Sequence, residues 1–263
     1  MREFDYARAG SLDQAAELFA SGGEAAFLAG GHTLLPAIKS RLRMPDRLVD
    51  ISGIPGLDDI EREDDRLWIG ATARHAVVAD DPIVRSAIPS LAKTALGIGD
   101  PQVRNRGTIG GSVANNDPAA DYPAACLALD AAIETTRGSY GADDFFLGMF
   151  TTALADGEII RRIGFAVPQA GAYAKFRHPA SRYAIVGVYV ARFAAGHRVA
   201  ITGAGPGVFR CAELEQALTR DWNAAAARAV KVGADGLNSD LHGTPAYRAA
   251  LIPELAARAV AAA

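Results

Sequence analysis

The sequence has few of the residues that hold metal clusters or covalent cross-links. Its 263 residues include two cysteines, Cys126 and Cys211, which form neither a CxxC pair nor a cluster with histidine. A structural zinc or an iron–sulfur cluster held by this chain alone is therefore not expected. A reducing compartment is the simplest interpretation, with both thiols as small buried apolar groups.

A basic excess and long apolar runs are also missing. The 27 Lys and Arg residues face 30 Asp and Glu residues, for a net charge of −3, so nothing indicates a nucleic-acid partner. No apolar stretch approaches the roughly 20 residues of a membrane span, and the first residues lack the apolar core of a signal peptide. We therefore expect a cytoplasmic protein with no membrane span. Half of the residues are hydrophobic, which suffices for one large domain or two to three small ones.

Periodicity and capping residues predict a mixed chain. Ser11 and Gln14 form a capping box before a helix over 12–20. Further helices are predicted over 34–42, in the second half of 81–98, from 143 with an aspartate at the cap, and over 211–220, 222–233 and 247–263. The segment 121–135 is predicted as a helix that passes into a strand. Strands are predicted over 25–29, 47–52, 66–72 and 158–167. The segments 184–193 and 197–204 flank a short turn and predict an antiparallel hairpin.

Two glycine pairs are the most informative feature. LAGGHT and TIGGSV each have an apolar residue, Gly-Gly and a small or polar residue, at Gly30-Gly31 and Gly110-Gly111. We interpret both as turns, in which glycine permits φ > 0 and lets backbone N–H groups point into a concavity that binds phosphate oxygens. Two such turns could hold a pyrophosphate between them, as in a dinucleotide. The alternative is a pair of ordinary turns.

A third glycine-rich segment is interpreted differently. GAGPG at 203–207 follows a strand and resembles GxGxxG, but Val208 occupies the sixth position. The hairpin before it predicts antiparallel pairing, which a Rossmann βαβ unit does not contain. We therefore interpret GAGPG as a loop between sheet and helix. A P-loop motif, GxxxxGK[ST], is absent as well.

Several blocks of the chain resemble one family over essentially its whole length. The blocks are LAGGHTLLPAIKSRLRMPDRLVDIS, IGDPQVRNRGTIGGSVANNDPAADYPA, DDFF with TTAL and EII, KFRHPASRYAIVGV, CAELEQAL and the late pattern of Asp240, His242, Gly243, Tyr247 and Arg248. They resemble the FAD-binding medium subunit of molybdenum hydroxylases, the group of aerobic carbon monoxide dehydrogenase and xanthine dehydrogenase.

The resemblance implies an α+β fold of the PCMH type. It implies FAD-binding subdomains at 1–55 and 56–169. It also implies a C-terminal antiparallel sheet with helices at 170–263, of the carbon monoxide dehydrogenase flavoprotein C-terminal type. The implied FAD contacts are Phe27, Leu28, Ala29, Gly30, Gly31, His32, Thr33, Leu34, Thr108, Ile109, Gly110, Gly111, Ser112, Asp121, Ile160 and Lys175.

Some of these residues have simpler interpretations. Asp121 could cap the helix that follows it, and Lys175 could be a solvent-facing strand residue. Arg104 and Arg106 precede the second glycine pair and either fix it or face a partner subunit.

The resemblance also implies a function: a non-covalent FAD that passes electrons from iron–sulfur clusters to an external acceptor such as NAD or a quinone. The molybdenum cofactor belongs to a large partner subunit and two [2Fe–2S] clusters to a small one, in a dimer of heterotrimers. The flavin carries the redox chemistry, so no catalytic residue and no metal ligand are expected in this chain. The alternatives are a free-standing FAD-dependent oxidoreductase of the same fold and a scaffold that has lost FAD.

Overall fold

The structure, a computed structural model, describes residues 3–263. Its first unit is a three-stranded parallel sheet in the order β1-β3-β2. The elements are β1 (Asp5–Arg8), α1 (Leu12–Ala20), β2 (Ala25–Leu28), α2 (Leu34–Lys39) and β3 (Arg47–Asp50).

The predicted first helix is confirmed. Ser11 is its N-cap and accepts a hydrogen bond from the Gln14 N–H, while Gln14 Oε1 accepts one from Gly10 N–H instead of Ser11 N–H.

The middle of the chain forms a five-stranded antiparallel sheet in the order β4-β5-β10-β6-β7 and a two-stranded β8-β9 hairpin. Its elements are β4 (Ile60–Glu63), β5 (Arg66–Gly70), α3 (His75–Asp80), α4 (Pro82–Ala87), α5 (Pro89–Leu96), α6 (Pro101–Arg104), α7 (Ile109–Asn115), α8 (Asp121–Ala128), β6 (Ala132–Thr135), β7 (Ser139–Gly141), α9 (Ala142–Phe145), β8 (Phe146–Gly148), β9 (Thr151–Thr152) and β10 (Ile160–Ala166).

The last part of the chain forms a four-stranded antiparallel sheet in the order β11-β12-β13-β14, covered by helices. Its elements are β11 (Ala170–Arg177), β12 (Ala184–Phe193), β13 (Gly196–Thr202), β14 (Phe209–Arg210), α10 (Ala212–Arg220), α11 (Ala224–Arg228) and α12 (Pro245–Ala262). The predicted hairpin is confirmed as β12 and β13.

Three predictions of helix bounds or caps are wrong. The first half of 81–98 is helical too, because Asp81 caps α4 and accepts hydrogen bonds from the N–H groups of Ile83 and Val84. Gly141, rather than an aspartate, is the N-cap of α9, which gives way to β8 after four residues. The helix predicted over 222–233 spans only Ala224–Arg228.

Helix α8 joins the second and third sheets. All eight of its residues are buried, since one side packs in the core of the five-stranded sheet and the other contacts β12 and β13. A helix that is buried on every side needs apolar residues on all its faces, which explains the alanine-rich sequence of α8. Its first residue, Asp121, is therefore a carboxylate at a buried helix end. No helix among residues 3–263 is long and apolar enough to cross a membrane.

Candidate functional site

The first glycine pair lies in the loop that joins β2 to α2. Gly31 has φ +71°, so the predicted positive φ is confirmed at this position. Within residues 3–263, the backbone N–H groups of Gly31, His32 and Thr33 donate no hydrogen bond. The histidine ring is exposed, and its Nδ1 lies 3.5 Å from the carbonyl oxygen of Gly30. Three adjacent N–H donors without partners make this loop suited to an anion.

The remaining predicted residues of this loop flank these donors. Phe27 and Leu28 end β2 and are half-buried, and the Phe27 ring stacks on Phe19 with 4.6 Å between ring centroids. Ala29 is also half-buried, and Leu34 is the first residue of α2. The loop therefore leaves a packed strand end and enters a short helix.

The second glycine pair is not a turn. Gly110 and Gly111 lie in the first turn of α7, with Thr108 as the N-cap, so the prediction of a turn with φ > 0 is wrong here. Gly110 N–H donates to Ala71 O at 2.8 Å, and Gly111 N–H donates to Thr108 Oγ1 at 3.2 Å. The N–H groups of Gly110 and Gly111 are therefore both paired, unlike those of Gly31, His32 and Thr33.

The two glycines of α7 serve different purposes. A Cβ on Gly110 would lie 2.5 Å from the Ala71 Cβ, so this glycine lets the helix pack against the end of β5. A Cβ on Gly111 would meet only Thr108 Oγ1, at 2.9 Å, and Gly111 is exposed. Of the neighbouring predicted contacts, Ile109 is fully buried and Ser112 is half-buried. Gly111 is thus the glycine that leaves room for a ligand.

The two glycine segments contact each other directly. A Cβ on Gly30 would overlap the carbonyl oxygen of Arg106 and lie 2.9 Å from Gly107 Cα. Only glycine permits this approach of one backbone to another. The contact places the unpaired N–H groups of the first loop beside the start of α7. The sequence alone predicted that the two glycine motifs act together, but not that their backbones touch.

Two predicted FAD contacts, Asp121 and Lys175, form one buried ion pair. Lys175 Nζ lies 2.8 Å from Asp121 Oδ2 and donates to Gly97 O at 3.1 Å, and both paired side chains are 6% exposed. Tyr173 OH donates to Asp121 Oδ1 at 2.5 Å. Burial raises the pKa of Asp121, and the charge of Lys175 opposes that rise. The interpretation of Lys175 as solvent-facing is therefore wrong.

Asp121 does not cap α8 either. Ala120 is the N-cap and Asp121 the first helical residue, with its side chain turned to Lys175 and Tyr173. Sequence reasoning missed Tyr173. The signal was available, because residues two apart in a strand share a face of the sheet, and Tyr173 and Lys175 are two apart in β11.

Ile160 starts β10 and is 4% exposed. The next residue, Arg161, accepts a hydrogen bond through its carbonyl from Ala71 N–H, and the Ala71 carbonyl accepts from Gly110 N–H. Ile160 therefore lies next to the strand contact that supports α7.

A buried histidine that sequence reasoning missed lies behind the second segment. A Cβ on Gly107 would lie 2.5 Å from His75 Nε2, and the His75 ring packs against Tyr122 with 5.3 Å between centroids. Burial, with smaller contributions from the nearby His32 and Arg104, lowers the pKa of His75 to about 4. His75 is thus a neutral packing residue, and within residues 3–263 its Nδ1 has no hydrogen-bond partner.

GAGPG is not part of a βαβ unit, as predicted, but it joins two antiparallel strands, β13 and β14, and not the sheet and a helix. Arg104 donates to the carbonyl oxygens of Ile98 and Gly99 and so fixes the segment before α7. Cys126 and Cys211 are buried free thiols, and the described residues contain no cluster of three or more His, Cys, Asp or Glu side chains suited to a metal.

The geometry fits a flavin dinucleotide. Unpaired N–H groups lie beside an exposed glycine, and an ion pair stands at the buried start of α8. The family model described as the FAD binding domain in molybdopterin dehydrogenase matches residues 2–169. The chain belongs to this family: it is an FAD-binding oxidoreductase subunit of the molybdenum hydroxylase type, as the sequence blocks predicted.

Its relatives include medium subunits of known enzymes. The chain is 36% identical to the carbon monoxide dehydrogenase medium chain of Hydrogenophaga pseudoflava, over 99% of this chain and 96% of that one. It is 32% identical to the nicotine 6-hydroxylase medium subunit of Paenarthrobacter nicotinovorans, over 97% and 95% of the two chains.

A solved structure supports the same assignment. The carbon monoxide dehydrogenase of H. pseudoflava, in a form that lacks the Mo-pyranopterin moiety of its cofactor, matches with a TM-score of 0.89 at 35% identity. The match covers 100% of this chain and 97% of that one. The predicted fold class is confirmed.

Proposed function

We propose that this chain passes electrons from iron–sulfur clusters of a partner subunit, through its FAD, to an external acceptor. FAD supplies the chemistry, because its ring exchanges electrons with both one- and two-electron partners. The chain's own residues bind and orient the cofactor. The observation that carries the proposal is the unpaired N–H groups of Gly31, His32 and Thr33 beside the exposed Gly111.

The proposed FAD contacts are the residues inferred from the sequence, with different tasks. Gly31, His32 and Thr33 donate backbone hydrogen bonds to the pyrophosphate, and Gly111 leaves room for it. Asp121 at the start of α8 and Lys175 on β11 present a fixed ion pair, and Ile160 at the start of β10 is a further apolar contact. The remaining contacts shape the two segments: Phe27, Leu28, Ala29, Gly30, Leu34, Thr108, Ile109, Gly110 and Ser112. The proposed units are 1–55 and 56–169 for FAD and 170–263 for a further domain.

The proposed assembly follows from what the relatives are called. Both are named as a medium chain or subunit, which implies larger and smaller companions. We propose that this chain joins a large subunit with the molybdenum cofactor and a small subunit with two [2Fe–2S] clusters, in a dimer of heterotrimers. NAD or a quinone then takes the electrons.

The test is co-expression of the chain with the genes beside its own, followed by size-exclusion chromatography and acid precipitation. We expect one co-eluting species whose acid supernatant contains FAD, because no His or Cys in the two glycine segments is placed by motif for a covalent flavin link. Reduction of the flavin is then followed with candidate substrates and acceptors. A chain that elutes alone and turns over a substrate by itself would instead be a free-standing oxidoreductase. Folded protein without flavin would contradict the proposal.

A further inference from the structure

Three nitrogen-bearing side chains form a cluster at one end of the C-terminal sheet. Arg192, near the end of β12, lies directly opposite His197, near the start of β13. Trp222, in the loop between α10 and α11, contacts both of them. The centroid of its ring lies 5.6 Å from the guanidinium carbon of Arg192 and 4.9 Å from the centroid of the His197 ring. Two strands and a helix connection therefore meet at this cluster.

The cluster lies well away from the proposed FAD contacts of this sheet. Along the pairing of β11 with β12, Ala170 is opposite Arg192 and Lys175 is opposite Gly187. Five residues of strand, roughly 17 Å, thus separate the cluster from Lys175. No residue of the cluster belongs to the two glycine segments or to the buried ion pair, so its chemistry is a separate question.

Arg192 differs from the other arginines that the fold encloses. It is half-buried and its Nε is shielded from solvent, yet within residues 3–263 its guanidinium donates no hydrogen bond and forms no ion pair. The other buried or half-buried arginines of the same residues all donate to acceptors of the fold; they are Arg47, Arg66, Arg104, Arg162, Arg198 and Arg248. A guanidinium that is partly removed from water without an acceptor is unfavourable, so a ligand that supplies one stabilises the structure.

The other two members of the cluster are also donors without acceptors. His197 is half-buried, and its shielded Nδ1 has no partner in the described part of the chain. The indole N–H of Trp222 donates to no atom of residues 3–263, and it is open to solvent, as are Nε2 of His197 and the terminal nitrogens of Arg192. The carboxylate next to Trp222, that of Asp221, is exposed and does not pair with Arg192. The cluster therefore combines one fixed positive charge with several free N–H donors.

We propose that Arg192, His197 and Trp222 bind a small oxyanion, either the carboxylate of an organic acid or a phosphate group. The planar guanidinium presents paired N–H donors that match carboxylate and phosphate oxygens and bind them by charge-assisted hydrogen bonds. The imidazole and indole nitrogens add donors beside it. Because such a ligand joins the β12-β13 hairpin to the loop between α10 and α11, its binding also stabilises the folded chain.

The test is isothermal titration calorimetry of the full, FAD-loaded chain, freed of unbound FAD, with sodium acetate and with inorganic phosphate as the two probes. The bound FAD occupies its own phosphate site, and the ionic strength is held constant with chloride. We expect saturable binding of at least one probe with a Kd of roughly 0.1–10 mM, the range that a few such hydrogen bonds provide. The probe that binds more tightly identifies the ligand as a carboxylate or a phosphate. No saturable binding of either probe would overturn the inference.

Variants of the cluster test which groups bind the probe. Arg192→Gln should weaken binding by roughly 10- to 100-fold, the range for hydrogen bonds to charged groups. Trp222→Phe keeps an aromatic ring and removes one neutral donor, so a loss of roughly 2- to 10-fold is expected. Arg41→Gln is the matched control, an exposed arginine after α2 that has no polar partner within residues 3–263, and it should bind the probe as the wild type does. Equal affinities in Arg192→Gln and Arg41→Gln would overturn the inference.

Thermal unfolding by circular dichroism separates binding from folding. The probe that binds should raise the Tm of the wild type and of Arg41→Gln more than that of Arg192→Gln. If Arg192→Gln does not fold, Arg192→Lys decides, because it keeps the positive charge but loses the planar pair of donors and should therefore bind the probe more weakly than the wild type. Wild-type affinity in Arg192→Lys, or an equal rise of Tm in every folded variant, would refute the assignment of the guanidinium to the oxyanion.

Discussion

Gly111→Ala tests the geometry of the second glycine segment. The added Cβ would meet one atom within 4 Å, Thr108 Oγ1 at 2.9 Å, and that hydroxyl can rotate away. Gly111 lies in a helix without positive φ, where alanine is preferred over glycine by up to about 1 kcal/mol. The folded chain should therefore lose little or no stability.

The effect on FAD should be much larger. A methyl group on the exposed face of Gly111 occupies the space that we assign to the pyrophosphate, and it displaces the phosphate from at least one charge-assisted hydrogen bond. Such a bond contributes about 1.5–3 kcal/mol, which corresponds to a roughly 10- to 100-fold weaker affinity for FAD.

Two other glycines provide the comparison. Gly110→Ala places its Cβ 2.5 Å from the Ala71 Cβ, so it should destabilise the fold by about 1–3 kcal/mol. Gly207→Ala, in the GAGPG loop, meets nothing closer than 3.7 Å and should change neither stability nor flavin. The measurements are the flavin-to-protein ratio by absorbance, FAD titration of flavin-free chain, and thermal unfolding by circular dichroism. Folded Gly111→Ala with wild-type FAD affinity, or loss of FAD in Gly207→Ala, would refute the assignment.

Three further predictions concern buried groups. Asp121→Asn leaves the buried ammonium of Lys175 without its counter-charge, so denaturant unfolding should show a loss of about 3–5 kcal/mol that Lys175→Met in the same chain largely restores; an unchanged single variant would contradict the buried pair. His75 has a pKa of about 4 in the folded chain against 6.5 ordinarily, so the unfolded chain takes up its proton first as the pH falls. Stability should therefore drop by up to roughly 3 kcal/mol between pH 6.5 and 4, and His75→Leu should flatten that part of the profile; a profile that keeps the wild-type slope would show that His75 is not its source. Burial raises the pKa of Cys126, and raises that of Cys211 to about 11, so neither thiol should react with a disulfide reagent at pH 8 until the chain is unfolded; rapid labelling of native protein would contradict the burial of the thiols.

Short-range sequence signals determined individual secondary-structure elements, the family and the glycine motifs of this protein. Ser11 and Gln14 specify the start of α1 through short-range hydrogen bonds, and two apolar runs on either side of a short turn specify the β12-β13 hairpin. The family and the glycine motifs could be recognised in the sequence, because a backbone that closely approaches a ligand or another backbone requires glycine in any structural context. These signals are short in range and therefore survive in a linear sequence.

Other features depend on residues that are distant in the chain. Asp121 and Lys175 are 54 positions apart, and only the packing of α8 against β11 turns two separate predicted contacts into one ion pair. The sequence could not tell Gly110 from Gly111, because the difference is that Ala71 lies against one and not the other. The sequence predicted a turn at the second glycine pair, because Gly-Gly favours turns locally. In the structure, the cap at Thr108 and the contact with the end of β5 stabilise a helix there.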